Sequence, residues 1–458
     1  MEAAIKKRGM NDRIRALRVG SMETEPAICM ERALIETETY KQYDGRVSIP
    51  EMRALSLYRY MENRSLYLGE GELIVGEKAS GPQKAPTFPE LCCHTLDDMR
   101  IMDARELISF KVTEDALKKQ EETVIPFWSG RSIREKLLAS MTQEWRDCYA
   151  AGIFTEFMEQ RGPGHTVGSN KIYEKGFLDY KAEIQESLDA LDPLNDLDAQ
   201  RKAEQLRAMS VACDAIMLLG RRYAALAREM AAAEKNPVRR AELLQIAENC
   251  DVVPAHAPKT YWQAIQMYWF VHLGVTTELN PWDAYSPGRL DQHLYPFYKK
   301  DVEEGALNDE RALELLECLW VKFNNQPAPP KVGVTLKESG TYTDFAQINT
   351  GGLLADGSDG VSEVTYLILD VIEEMRLLQP SSSIQVSTQN PDEFIQRAAR
   401  IIRTGFGQPS VFNSDLIVEE LTRQGKSLLD ARCGGSSGCV EVGAFGKEAY
   451  ILTGYFNL

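Results

Sequence analysis

Residues 383–423 read SIQVSTQNPDEFIQRAARIIRTGFGQPSVFNSDLIVEELTR. Short β-prone runs alternate here with amphipathic ones. The pattern predicts a strand at Ser383–Ser387, a helix at Pro391–Arg403, a strand at Ser410–Asn413 and a helix at Ser414–Arg423. Just upstream, Val332–Leu336 is a strand candidate. Val361–Leu378 is a helix with Val364, Leu367, Ile368, Val371, Ile372 and Met375 on one face. Strands alternating with amphipathic helices imply βαβ units and parallel pairing, hence an α/β fold. Sites in such folds gather on loops at the C-terminal ends of strands.

Toward the N-terminus the helical content rises. Residues 1–150 read as mostly helical, with a short strand candidate at Glu72–Val75. Residues 177–235 are charged and strongly helical, with a core stripe at Leu206, Met209, Cys213, Ile216, Gly220, Tyr223, Ala227 and Met230. A further helix opens at Thr260, which with Gln263 fits a capping box. It runs through YWQAIQMYWFVHL, apolar nearly all round, so that His272 within it reads as a core histidine.

Composition narrows the class. The 458 residues are 44% hydrophobic and 26% charged, the usage of a globular chain. The balance of 52 basic against 68 acidic residues leaves a net charge of −16, with no basic run suited to nucleic acid or an anionic membrane surface. No stretch reads as a signal peptide or a membrane span. Nine cysteines without a CxxC pair argue against a disulfide framework or zinc finger and fit a reducing cytoplasm. Cys92-Cys93-His94 lacks a second ligand cluster, so no metal is expected.

The chemistry concentrates in Arg432–Gly443, RCGGSSGCVEVG, with four glycines in a dozen residues. Such a loop bends tightly and approaches a ligand closely. Cys439 and Glu441 stand two residues apart, which in an extended loop points both side chains the same way. A reactive sulfur beside a general base is then available; a glycine-rich turn around a buried cysteine is the plainer alternative. The loop is neither a P-loop nor a dinucleotide fingerprint.

GCVE in a glycine-rich loop resembles the cysteine loop of the glycyl radical enzymes, the pyruvate formate-lyase-like superfamily. CDVVPAHAP followed by YWQAIQMYWF, LWVKFNNQPAPPKVG and QINTGG resemble it too, over essentially the whole chain. FTEFMEQRGPGHTV, TTELNPWDAYSPGRLDQHL, TLKESGTYTDF and GCVEVGAFGKEAYILTGYFN resemble the subgroup that dehydrates a hydroxylated proline. The resemblance implies a mostly helical α/β fold containing the first part of a ten-stranded α/β barrel. It implies one domain over 1–458, largely helical over 1–250, with barrel strands, helices and the cysteine loop over 251–458. Cys439 is then the thiyl-radical cysteine and Glu441 the catalytic acid/base. His165 and Asp283 lie near the leaving hydroxyl, while Phe157, Ser339, Phe345 and Tyr455 line the substrate pocket. No bound cofactor is implied. The radical is held on a glycine and installed by a radical S-adenosylmethionine activase, a partner of what the family suggests is a homodimer.

Two departures shape the expectation. Gly438 precedes Cys439 where pyruvate formate-lyase has a second cysteine, which favours the dehydratases. The radical-storing glycine loop is not found in these 458 residues, so the chain reads as an N-terminal portion, inactive alone. The alternatives are another glycyl radical enzyme (a diol dehydratase, choline lyase or arylacetate decarboxylase), a catalytically inert product of a split gene, or a cysteine-nucleophile hydrolase. Each residue also has a plain structural role open to it. His165 follows Gly162-Pro163-Gly164 and can cap a turn; Asp283 can cap a helix; Ser339 and Tyr455 can be ordinary core or loop residues.

Overall fold

The computed structural model describes residues 9–106, 108–156, 165–279, 285–333, 336–337, 346–438, 440–450 and 454–457. At 155–156, 165–166, 449–450 and 454–455 only the backbone is described.

The N-terminal half is helical, as its periodicity implies. The helical stretch 177–235 is two helices, Phe177–Asp189 and Ala199–Ala233, because Pro193 cannot continue the first. The second packs against Ile49–Asn63 and Pro237–Val252. Along its stripe Cys213, Ile216, Tyr223 and Ala227 are buried, whereas Met209 is 46% exposed and belongs to the solvent side.

At the centre lies Tyr261–Glu278, buried on nearly every face. Thr260 Oγ1 accepts from the Gln263 amide at 3.2 Å, while the Gln263 side chain accepts from Lys259 N–H, one residue before the cap, at 2.9 Å. His272 is a core residue: it stacks on Trp269, and its Nδ1 lies 3.2 Å from Tyr268 Oη and 3.1 Å from the Tyr285 carbonyl. The expected strand at Glu72–Val75 is instead a buried irregular segment. Its backbone bonds to helix side chains rather than to another strand: Val75 N–H and C=O pair with the Gln266 amide at 2.9 Å each, and Leu73 C=O accepts from Trp262 at 3.0 Å. That satisfies the polar backbone without a sheet.

The C-terminal half is the α/β part. Gly288–Arg289, Gln347–Gly351, Ser381–Val386 and Ser410–Asn413 form a four-stranded sheet in that order, parallel throughout. The helices Leu290–Glu303, Asp309–Asn324, Glu363–Met375 and Asp392–Ile402 lie in the crossovers. The chain thus has the α/β architecture that the alternation implies, mostly helical as the resemblance implies. The strand expected at Val332–Leu336 is not formed in its described residues: Gly333 turns with φ +72° and Leu336 is helical.

The strands have two unlike faces. Ile348 and Ile384 join the main core with Val364, Ile368 and Ile372 of Glu363–Met375. The alternate residues Gln347, Asn349, Ser383 and Gln385 are equally buried but face the cysteine loop. A parallel sheet buried on both sides is ordinarily apolar on both. Here one face is polar because what covers it is backbone. Among the described residues no helix is long and apolar enough to cross a membrane.

Candidate active site

The glycine-rich segment folds as a hairpin of Gly435–Ser437 and Glu441–Gly443, with Ser437 opposite Glu441. Gly438, at φ +55°, begins the turn; this left-handed conformation is open to glycine at little cost. The two strands bracket Cys439, which itself lies outside the described residues. The flanking chain is therefore a turn, not the extended loop that the two-residue spacing assumes.

Gly435 is required by close approach. A Cβ there would sit 2.2 Å from Gln385 Nε2, 2.6 Å from Phe445 Cζ and 2.7 Å from Asn349 Oδ1. The hairpin lies so low on the sheet that a methyl group cannot be accommodated.

Side chains of the parallel strands hold this backbone. Arg289, 2% exposed, donates to the carbonyls of Gly434 at 3.0 Å, Arg432 at 3.1 Å and Gly351 at 2.8 Å. Burial pulls its guanidinium down to about 10, against the opposing field of Asp291. Asp291 is pushed up to about 6 by its own burial, and accepts from Gly351 N–H at 2.7 Å and Thr365 Oγ1 at 2.6 Å. Asn349 donates to the Ser436 carbonyl at 2.8 Å and accepts from the Ser436 amide at 3.1 Å. Gln385 Nε2 donates to the same Asn349 oxygen at 2.7 Å.

Glu441 is half-buried, and its carboxylate accepts from Val440 N–H at 3.1 Å. Asp283, Phe157, Ser339 and Phe345 lie outside the described residues. His165 and Tyr455 are described by backbone alone. His165 pairs with Tyr450, shortly after the hairpin, in an antiparallel bridge, and its strand runs parallel to Tyr285–Ser286, just beyond Asp283. Strand pairing thus brings the strand of His165 beside the chain leaving the cysteine loop, with Tyr285–Ser286 on its other side. Tyr455 pairs with Thr155, shortly before Phe157. Elsewhere, His94 Nε2 sits 2.9 Å from the Pro330 carbonyl, and among the described residues no group of three His, Cys, Asp or Glu could hold a metal.

Reading the sequence alone misses Arg289, Asn349 and Gln385. The signal was present: QINTG and SIQV place polar residues at alternate positions of strands that are otherwise buried. Such a residue needs a buried polar partner.

Residues 10–458 match the pyruvate formate lyase-like family, and the chain belongs to it. Trans-4-hydroxy-L-proline dehydratase of Clostridioides difficile is 60% identical over 451 residues, which are 98% of this chain and 57% of that protein. The probable dehydratase YbiW of Escherichia coli is 32% identical, over 97% of this chain and 55% of its own length. The crystal structure of the Clostridioides difficile hydroxyproline dehydratase with trans-4-hydroxy-L-proline bound superposes with a TM-score of 0.95, again at 60% identity and 98% and 57% coverage. The glycerol-bound B12-independent glycerol dehydratase of Clostridium butyricum gives 0.89 at 30% identity, covering 97% of this chain and 56% of its own. The chain therefore spans somewhat over half the length of the relatives it matches.

Proposed function

We propose that these 458 residues provide the cysteine-loop part of a glycyl radical lyase that dehydrates trans-4-hydroxy-L-proline. The observation that carries this reading is the 60% identity, over 98% of the chain, to a protein of that name. The polar cradle under the cysteine hairpin supports it. In this reading the residues form one pyruvate formate-lyase-type domain, helical over 1–250 and strand-bearing over 251–458. A glycyl radical, installed by a radical S-adenosylmethionine activase, would supply the initial hydrogen-atom abstraction from the Cys439 thiol.

Cys439 as a thiyl then takes a hydrogen atom from the ring carbon beside the proline nitrogen. The α-amino radical so formed weakens the neighbouring C–OH bond. His165 and Asp283 assist departure of the hydroxyl as water, and Glu441 moves the balancing proton. The Cys439 thiol returns its hydrogen atom to the product radical, giving a pyrroline-5-carboxylate. Phe157, Phe345, Ser339 and Tyr455 would shape the pocket and keep water away from the radical. The active form is expected to be a cytoplasmic homodimer.

The test is a chimera in which residues 10–458 replace the matching part of the Clostridioides difficile enzyme, activated anaerobically. Dehydration of trans-4-hydroxyproline, with propane-1,2-diol left untouched, is the expected result. Turnover of the diol but not of hydroxyproline would show the substrate assignment to be wrong.

A further inference from the structure

Ser436 lies three residues before Cys439, on the first strand of the hairpin. In an antiparallel pair alternate residues turn their N–H and C=O away from the partner strand. The outward groups of Ser436 meet no third strand. They meet the side-chain amide of Asn349, which donates to the carbonyl at 2.8 Å and accepts from the amide at 3.1 Å. One carboxamide thus takes the place of a neighbouring strand. Because a backbone N–H can only donate and a C=O only accept, Ser436 dictates which way the Asn349 amide faces. That in turn requires Gln385 to present its NH2 group, which it does at 2.7 Å. Asn349 is fully buried, and so is Gln385. Both belong to the parallel sheet, so the height and register of the hairpin are set by rigid strands rather than by the loop itself.

We propose that Asn349, oriented by Gln385, is the positioning residue that fixes the cysteine hairpin on the sheet and so sets where the Cys439 thiol is presented. The inference rests on the reading of Cys439 as the radical-bearing thiol. Neither amide touches the substrate in this role. A misplacement of about 1 Å at a reacting atom costs on the order of a hundredfold in rate, which is why a rigid support matters here.

The experiment uses the full 458-residue chain, with Asn349→Asp and, as a variant that buries no charge, Gln385→Met. Hydrogen exchange is followed on the peptide spanning 434–443 and, as a control, on the helix Glu363–Met375. In both variants the hairpin peptide is expected to lose protection by roughly tenfold while the helix is unchanged, and the double variant is expected to be no worse than Asn349→Asp alone. The aspartate cannot donate to the Ser436 carbonyl when ionised but can when protonated. Burial raises its pKa, so its protection factor should recover at about pH 5 relative to about pH 8, unlike the wild type. In the activated enzyme the same variants should lower kcat by roughly tenfold or more with KM nearly unchanged. Wild-type hairpin protection in either variant, equal loosening of the helix, or independent multiplying effects would overturn the proposal. The exchange arm needs no turnover. An inactive wild-type enzyme would therefore count against the dehydratase reading alone, and unchanged exchange against the positioning role alone.

Discussion

Gly435 is the residue on which the geometry of the loop most visibly depends. Its missing side chain lets the hairpin lie against Gln385, Asn349 and Phe445, all of which would be within 2.7 Å of a Cβ. Asn349 Oδ1 already accepts from the Ser436 amide, Gln385 Nε2 already donates to Asn349, and the third atom belongs to a buried ring. None can withdraw without breaking a contact. Gly435→Ala is therefore expected to destabilise the chain by about 2 kcal/mol or more, the range of overpacked cores. Thermal or denaturant unfolding reads this directly. A variant as stable as the wild type would mean that the hairpin rides higher on the sheet. The same replacement at Gly9, where a Cβ would meet no atom within 4 Å, should be nearly neutral.

At the scale of elements, Asp309–Asn324 and Glu363–Met375 pack together through two acids. Glu317, 2% exposed, faces Glu374 and shares a hydrogen bond with it, and Glu314 adds negative field from the same helix. Burial first, then these charges, push Glu317 up to about 8. The folded chain therefore holds a proton that the unfolded chain has already lost above its ordinary carboxyl pKa. The contribution of Glu317 to stability is greatest below its ordinary carboxyl pKa and falls as pH rises toward 8, by about 1 kcal/mol per pH unit. Glu317→Gln should flatten that slope, measured as denaturant midpoints between about pH 5.5 and pH 7.5. An unaltered slope would place the proton elsewhere. The helices themselves were legible in the sequence: Ser414–Arg423 and the buried face of Glu363–Met375 stand where periodicity puts them. Glu72–Val75 was not, because its apolar run is buried by helix side chains that bond its backbone, and a single sequence cannot distinguish that from a strand. The tight bend of the cysteine loop was legible through its glycines, whereas the Cys439–Glu441 spacing assumed an extended loop where the flanking chain turns. The loop's support was not legible, because Arg289, Asn349 and Gln385 come from three separate strands and meet the loop only after the sheet has formed.

For the molecule as a whole, the sheet divides two kinds of interior. Helices cover its apolar face and form the main core; the backbone of the glycine-rich hairpin covers its polar face. That division makes the fold a holder for one short loop, and the account stands or falls on what the thiol of that loop does. In the activated chimera, Cys439→Ser is the direct measurement, read by hydroxyproline turnover and by electron paramagnetic resonance. An alcohol O–H bond is too strong for the storage radical to break readily. The account predicts that the glycyl doublet persists at wild-type intensity while turnover disappears. A serine variant that dehydrates hydroxyproline at the wild-type rate would contradict it.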